Sequence, residues 1–445
     1  MKRTAGRIAT GLAAAVLLAV SLPSVARATG PDPVTIDCPV SVRPSTRCSS
    51  SRDENGALVV IAIPANWNRR LIVHAHGGPR TGEPEVSDSI EDLDRFAVMV
   101  RQGYAWIGST YRRGGYGVRM AAEDTDNSRR LFWERFGRPE RTLLHGQSWG
   151  GNVAAKAAEL HALDVEGRAN YDGVLLTNGV LSGGTRAYGF RADLRSVYQF
   201  YCQNHPGPDE PAYPLWQGLP LDSPLTRARL RQRVEACTGV DRPASQRTSD
   251  QAARLENITG VIGIAEEELV SHLSWATFLF QDLVLQRLGG RNPFDNSTTV
   301  YSGSSDDAAL NAGVTRFTAD PDGLARLAYD ADLSGMIVVP TVSLHALHDP
   351  TVSYTAEALY RQTVSEAGRG HLLLQVAADE SEHSKLADSG YLAVLAGLET
   401  WLDTGVRPGF GDLRKTCEAA ETDPADCRLT EAVPALLAGQ FHVVR

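Results

Sequence analysis

Along the first 180 residues, continuous apolar runs of strand length alternate with stretches of helical spacing. Ala57 to Pro64 reads as a strand stopped by its proline, and Arg70 to Ala75 as a second strand broken by His76-Gly77-Gly78-Pro79. Leu93, Phe96, Ala97 and Val100 share one face of a helix predicted over Asp92–Gln102, ended by Gly103, and Tyr104–Thr110 is again strand-like. Val118–Phe136 predicts a helix, Arg141–His145 a short strand, Asn152–His161 an alanine-rich helix, and Tyr171–Thr177 another strand. The segment from Val34 to Ser51 is polar and cysteine-bearing and gives no such signal.

From Ser182 to Ser334 the alternation lapses into helical and loop-like sequence, punctuated by Pro206, Pro208, Pro211, Pro214 and Pro220. It resumes with the apolar run Met336–Pro340, leading into a strand that ends near His345. A helix over Ser353–Ala367, a strand over His371–Val376 and a helix over Tyr391–Leu402 follow. Continuously apolar strands separated by helices require a buried, mostly parallel sheet covered by helices, an α/β fold. The pattern therefore predicts one domain built from 29–181 and 335–445, interrupted by a largely helical inserted cap at 182–334.

Composition narrows the function without naming it. The 445 residues, 42% hydrophobic and 22% charged, are ordinary for a globular protein and exclude collagen-like and coiled-coil readings. A net charge of −9 disfavours phosphate backbones, so nucleic acid is not an expected partner. Lys2, Arg3 and Arg7 precede an apolar run from Ile8 to Leu22, and Ala26-Arg27-Ala28 offers the small residues of a cleavage site. Residues 1–28 thus read as an export signal and the mature chain as starting at Thr29. The apolar run is short for a bilayer span, and no stable membrane anchor is expected. Six cysteines fall into three local pairs, Cys38 with Cys48, Cys202 with Cys237 and Cys417 with Cys427, as an oxidising compartment permits, although six cysteines allow 15 connectivities. Four lysines among 44 basic residues suggest a GC-rich bacterial genome, so the sequons at Asn257 and Asn296 carry little weight.

The chemistry concentrates in three places. Gly146-Gln147-Ser148-Trp149-Gly150 lies between a predicted strand and a predicted helix, where glycines let the backbone turn sharply and present a hydroxyl. A serine hydroxyl is a poor nucleophile at neutral pH and needs a base, which in turn needs an orienting acid. Asp349 follows one predicted strand and His383 the next, both at strand ends, where a parallel sheet places its site. Asp379 and Glu382 compete for the role of acid; His345, His348 and His371 compete for that of base. His74 and His76 could suggest a metal pair, but no carboxylate ligand is near in sequence, and buried turn histidines are the better reading. Neither metal nor organic cofactor is expected.

With Ser148, Asp349 and His383 in that order, the sequence resembles the α/β-hydrolase superfamily, and the match extends to His76-Gly77-Gly78-Pro79 and the strand–helix rhythm outside the insertion. The two glycine turns resemble those of secreted serine esterases, prolyl-oligopeptidase-like peptidases and proline aminopeptidase-like enzymes. The resemblance implies an oxyanion hole formed by the backbone N–H groups of Gly78 and Trp149. Arg80 departs from the proline aminopeptidase pattern, where the turn continues with glycine.

Acyl transfer to water is the expected reaction, with a small-molecule or polymeric ester as substrate. Tyr198, Phe200, Tyr201, Tyr213 and Trp216, with Trp275, Phe278 and Phe280, would line an apolar pocket. The alternative, a serine exopeptidase acting on short peptides, needs carboxylates in the cap to hold a substrate ammonium, and Glu266-Glu267-Glu268 is the acidic run available there. That run also reads as the solvated face of a cap helix. A silent hydrolase-fold binding protein, with the residues but not their geometry, is the third reading.

Overall fold

The computed structural model describes residues 32–431; the predicted export signal and the start at Thr29 lie outside the described residues. In chain order the elements are β1 (Val34–Ile36), β2 (Thr46–Arg52), β3 (Leu58–Pro64), β4 (Arg70–Ala75), α1 (Val86–Arg95), α2 (Ala97–Arg101), β5 (Ala105–Ser109), α3 (Val118–Phe136), β6 (Arg141–Gln147), α4 (Trp149–His161) and β7 (Gly173–Thr177). Then come α5 (Gly183–Cys202), α6 (Arg227–Thr238), α7 (Ser249–Ile262), α8 (Leu269–Ser274), α9 (Asp307–Gly313) and α10 (Pro321–Ala331). The chain closes with β8 (Thr341–Ala346), α11 (Thr355–Glu366), β9 (Leu373–Ala378), α12 (Asp388–Thr404), α13 (Phe410–Ala420) and β10 (Leu429–Thr430).

All strands join one 10-stranded sheet in the order β1-β2-β3-β5-β4-β6-β7-β8-β9-β10. The run β5-β4-β6-β7-β8-β9 is parallel, while β1, β2, β3 and β10 pair antiparallel. Strand alternation feeds two cores. Val59, Ile61, Val73 and Leu144 pack with Phe132 and Val153 in one cluster. Val60, Ala62, Ile72 and Leu143, one residue out of phase, pack with Phe96, Met99 and Leu398 in another. A strand buried on both faces must be apolar at every position, which explains the continuous runs.

Between β7 and β8 the described chain is helical. Leu194, Val197, Leu230, Val234, Leu255, Ile258, Leu273 and Leu310 form a third apolar cluster there. Disulfides join Cys38–Cys48, Cys202–Cys237 and Cys417–Cys427, the three sequence-local pairs. Asn257 and Asn296 are both buried, so neither sequon offers its amide to solvent.

Four readings change. The one helix predicted over Asp92–Gln102 is two, α1 from Val86 and α2 to Arg101, parted at Phe96. Thr46–Arg52 is a strand although its sequence, Thr-Arg-Cys-Ser-Ser-Ser-Arg, has no apolar alternation; it is held through backbone pairing with β3 along its whole length. The apolar run Met336–Pro340 lies outside the sheet, and β8 begins only at Thr341. Proline brings no N–H to a ladder, and the Pro340 carbonyl instead accepts from the Val174 N–H (3.0 Å). His371 sits in a short turn, Gly370–Leu372, just before β9 rather than in it.

Candidate active site

The centre of the site is the junction of β6 and α4. Ser148 has φ 59° and ψ −127°, a conformation unfavourable for a residue with a side chain. The surroundings over-determine it: the Ser148 N–H donates to the Thr177 carbonyl (3.0 Å), and the Ser148 carbonyl accepts from Gly151 (2.9 Å) and Val180 (2.9 Å). Glycine is required beside it for close approach. A Cβ on Gly150 would lie 2.1 Å from the Ala75 carbonyl oxygen, and one on Gly146 would lie 2.1 Å from that of Gly150. The helix therefore starts directly against the end of β4.

Loops after β8 and β9 carry the partners. His383 Nε2 lies 2.8 Å from Ser148 Oγ, and His383 Nδ1 lies 2.9 and 2.8 Å from the two carboxylate oxygens of Asp349. Asp349 is 2% exposed, and its Oδ1 also accepts the N–H groups of Thr351 (2.8 Å) and Val352 (3.0 Å). Of the competing residues, His348 and Asp379 face each other at 3.3 Å on the surface, His371 and Glu382 are exposed, and His345 lies buried with Nε2 3.7 Å from Asp349 Oδ2.

The turn after β4 passes next to Ser148. A Cβ on Gly77 would meet Gln147 Oε1 at 2.7 Å and Ser148 Cβ at 3.4 Å, and Gly78 adopts φ +73°. Trp149 is the first residue of α4, so its N–H is among the helix donors that have no intrahelical acceptor. Arg80 clamps this turn, donating to Asp88 (2.5 Å) and Glu91 (2.8 Å) of α1. A cavity of about 240 Å³, lined by His76, Pro79, Arg80, Tyr111 and Gly115 among others, opens beside it. A larger one of about 660 Å³ lies among β1, β2 and Phe136 and touches none of the candidate site residues.

Beneath the turn, His74 and His76 do have a carboxylate neighbour that the sequence concealed. Asp92 Oδ2 lies 3.3 Å from His74 Nε2 and 3.8 Å from His76 Nδ1, and Asp92 Oδ1 accepts from Arg95 (2.7 Å). His74 pairs with His145 across the β4–β6 ladder, their Nδ1 atoms 2.9 Å apart, and His145 Nε2 reaches Thr177 Oγ1 (3.1 Å). Burial pushes His76 down to about 4, outweighing the pull of Asp92, and pushes His145 well below histidine's ordinary range. Both rings are therefore neutral. Among the described residues no group of histidine, cysteine and carboxylate side chains is arranged to hold a metal ion.

Several positioning groups were not singled out from the sequence. Gln147 Nε2 donates to the His383 carbonyl (2.8 Å), and Asn178 Nδ2 donates to the carbonyls of Glu382 (3.0 Å) and His383 (2.7 Å), fixing the histidine loop. Arg191 of α5 donates to the Thr351 carbonyl (3.2 Å) in the acid loop. Of the acidic run, Glu266 is paired with Arg247 (2.7 Å), Glu267 is exposed, and only Glu268 turns inward. Burial raises the Glu268 carboxyl to about 7, helped by Glu267 and Asp349 and opposed by Arg191.

Sheet order, the strained serine between β6 and α4, and acid and histidine loops after successive parallel strands define the α/β-hydrolase fold. No protein-family model and no curated protein matches the chain. Among solved structures the chain is similar to feruloyl esterase B from Aspergillus oryzae (TM-score 0.46, 13% identity, 86% of this chain and 89% of that one). It is also similar to an esterase from the same organism (TM-score 0.46, 14%, 87% and 88%) and to Candida antarctica lipase A in its closed state (TM-score 0.42, 13%, 86% and 84%).

Proposed function

We propose that the protein is an exported serine hydrolase that cleaves carboxylic esters through an acyl-enzyme. The observation that carries this is the unbroken hydrogen-bonded line from Asp349 through His383 to Ser148 Oγ. Ser148 attacks the substrate carbonyl while His383 Nε2 takes its proton. Asp349 holds the imidazole with Nδ1–H inward and stabilises the imidazolium as it forms. Gly78 and Trp149 are the proposed N–H donors to the oxyanion, the largest single contribution such sites make. His383 returns the proton to the leaving alkoxide, then activates water to release the acid. Residues 182–334 act as the cap, residues 1–28 as a cleaved export signal, and no cofactor takes part.

The exopeptidase reading has one observation in its favour, the inward turn of Glu268. Its environment opposes it: a carboxyl raised to about 7 is partly neutral at physiological pH, and the buried Arg191 guanidinium beside it repels an ammonium. Ester cleavage is therefore preferred. p-Nitrophenyl acetate and butyrate should turn over faster than prolyl or alanyl p-nitroanilide. Good cleavage of a free-amine anilide, with none of its N-acetyl form and loss of the difference in Glu268→Gln, would establish the peptidase instead. N-terminal sequencing of secreted protein should read from Thr29; an intact Met1 would remove export.

A further inference from the structure

Beside Asp349 lies a second buried histidine–carboxylate pair, His345 with Glu357. Strand alternation aligns Ser343 and His345 on one face of β8, and the β8–β9 register places Gln375 opposite Ser343. All three converge on Glu357 of α11. Its Oε1 accepts from Ser343 Oγ (2.6 Å) and lies 3.1 Å from His345 Nδ1, while its Oε2 accepts from Gln375 Nε2 (2.6 Å). On the other edge of the ring, His345 Nε2 lies 2.9 Å from the Val352 carbonyl oxygen and 3.7 Å from Asp349 Oδ2.

Donor counting supports a doubly protonated ring. A carbonyl oxygen only accepts, so Nε2 carries a proton. Glu357 accepts from two neutral donors, Ser343 and Gln375, at separate oxygens, and as a carboxylate it takes Nδ1 as a third. Both ring nitrogens then bear hydrogen. Charge and burial agree: burial alone would lower the pKa of His345, but the hydrogen bond and charge of Glu357, with Asp349 and the Val352 carbonyl, raise it on balance. Tyr354, its ring centroid 5.8 Å away, also packs against the ring, and burial and Glu357 keep its phenol protonated.

We propose that His345 is a positioning residue held as an imidazolium between Glu357 and Asp349, and that its charge keeps the His383–Ser148 pair active further into the acid range. The proposal rests on Ser148, His383 and Asp349 forming a hydrolytic triad. Glu357 lies beyond the ring, so the pair presents its positive end to the triad. A positive charge beside Asp349 opposes a second one on His383, so the base stays neutral to lower pH. The same ring fixes the acid loop through the Val352 carbonyl, whose residue also donates its N–H to Asp349.

Two measurements test it. In histidine-¹⁵N-labelled protein at pH 8, both His345 ring nitrogens should show N–H-type shifts; one pyridine-type nitrogen overturns the proposal. In Glu357→Gln, which removes the counter-ion while keeping shape, the acid limb of kcat/KM should move to higher pH by about one unit. A uniform loss at every pH with the limb unmoved would mean a purely structural role and also overturns it. Should the variant fail to fold, the ring spectrum decides alone. A wild-type protein without ester turnover defeats the hydrolase reading, while the spectrum still reports the charge on His345.

Discussion

Two buried histidine–carboxylate clusters flank Ser148, and they differ in the supply of carboxylates rather than in burial. Under the turn after β4 His74, His76 and His145 share Asp92, and burial holds His76 and His145 neutral. On the acid side His345 has Glu357 to itself and His383 has Asp349. His345, His74 and His145 are all fully buried, so solvent exclusion does not separate them. The number of carboxylates per ring does, because desolvation penalises every buried charge and only a hydrogen-bonded counter-ion offsets it. One cluster thus packs under a backbone turn, and the other carries the electrostatic role proposed for His345.

The largest expected effect lies on the acid side. Asp349→Asn or His383→Ala should cut kcat/KM for an aryl ester about 10⁴-fold while leaving far-ultraviolet circular dichroism unchanged. A fall below tenfold in either variant would place the base or the acid elsewhere.

Under the turn after β4 the corresponding loss should be one of stability. Asp92→Asn leaves two buried rings without their carboxylate, while Arg95 keeps Glu91, and should lower unfolding free energy at pH 7 by about 1–3 kcal/mol, measured by urea titration. Burial opposes ionisation of Asp92, but the neighbouring His74, with His76 and Arg95, depresses its pKa on balance. The stability tied to that shift is present above the ordinary carboxylate range and lost as pH falls through the folded-state value. The variant should show less of this acid sensitivity; an unchanged slope would remove Asp92 from the role assigned here.

The smallest effect concerns His76. Its folded-state value, about 4, is below histidine's ordinary 6.5, so the unfolded chain binds the proton more tightly and stability is lost as pH falls from 6.5 to 4. His76→Asn should flatten that window and cost about 1 kcal/mol above it. An identical slope in both proteins would mean that His76 is charged when folded.

Much of the parallel sheet was legible because burial on both faces forces apolar runs, and the elbow because its glycines are steric necessities. Arg70–Ala75 and Val118–Phe136 match their predicted bounds, whereas Thr46–Arg52 was invisible because backbone pairing, not side-chain pattern, makes it a strand. The spacing between strand ends brought Ser148, Asp349 and His383 forward as candidates. Asp92 and Glu357 were hidden because their partners lie on other elements: α1 faces His74 and His76 after β4, and α11 faces three residues from two strands. The inward turn of Glu268 was equally hidden, since three adjacent glutamates carry no sign of which one faces the protein.

Labelling with a fluorophosphonate tests the nucleophile directly. One adduct per chain should form on the peptide containing Ser148, and Ser148→Ala should remain unlabelled. Folded wild-type protein that takes up no probe, or equal labelling of the alanine variant, would contradict an activated serine at the end of β6.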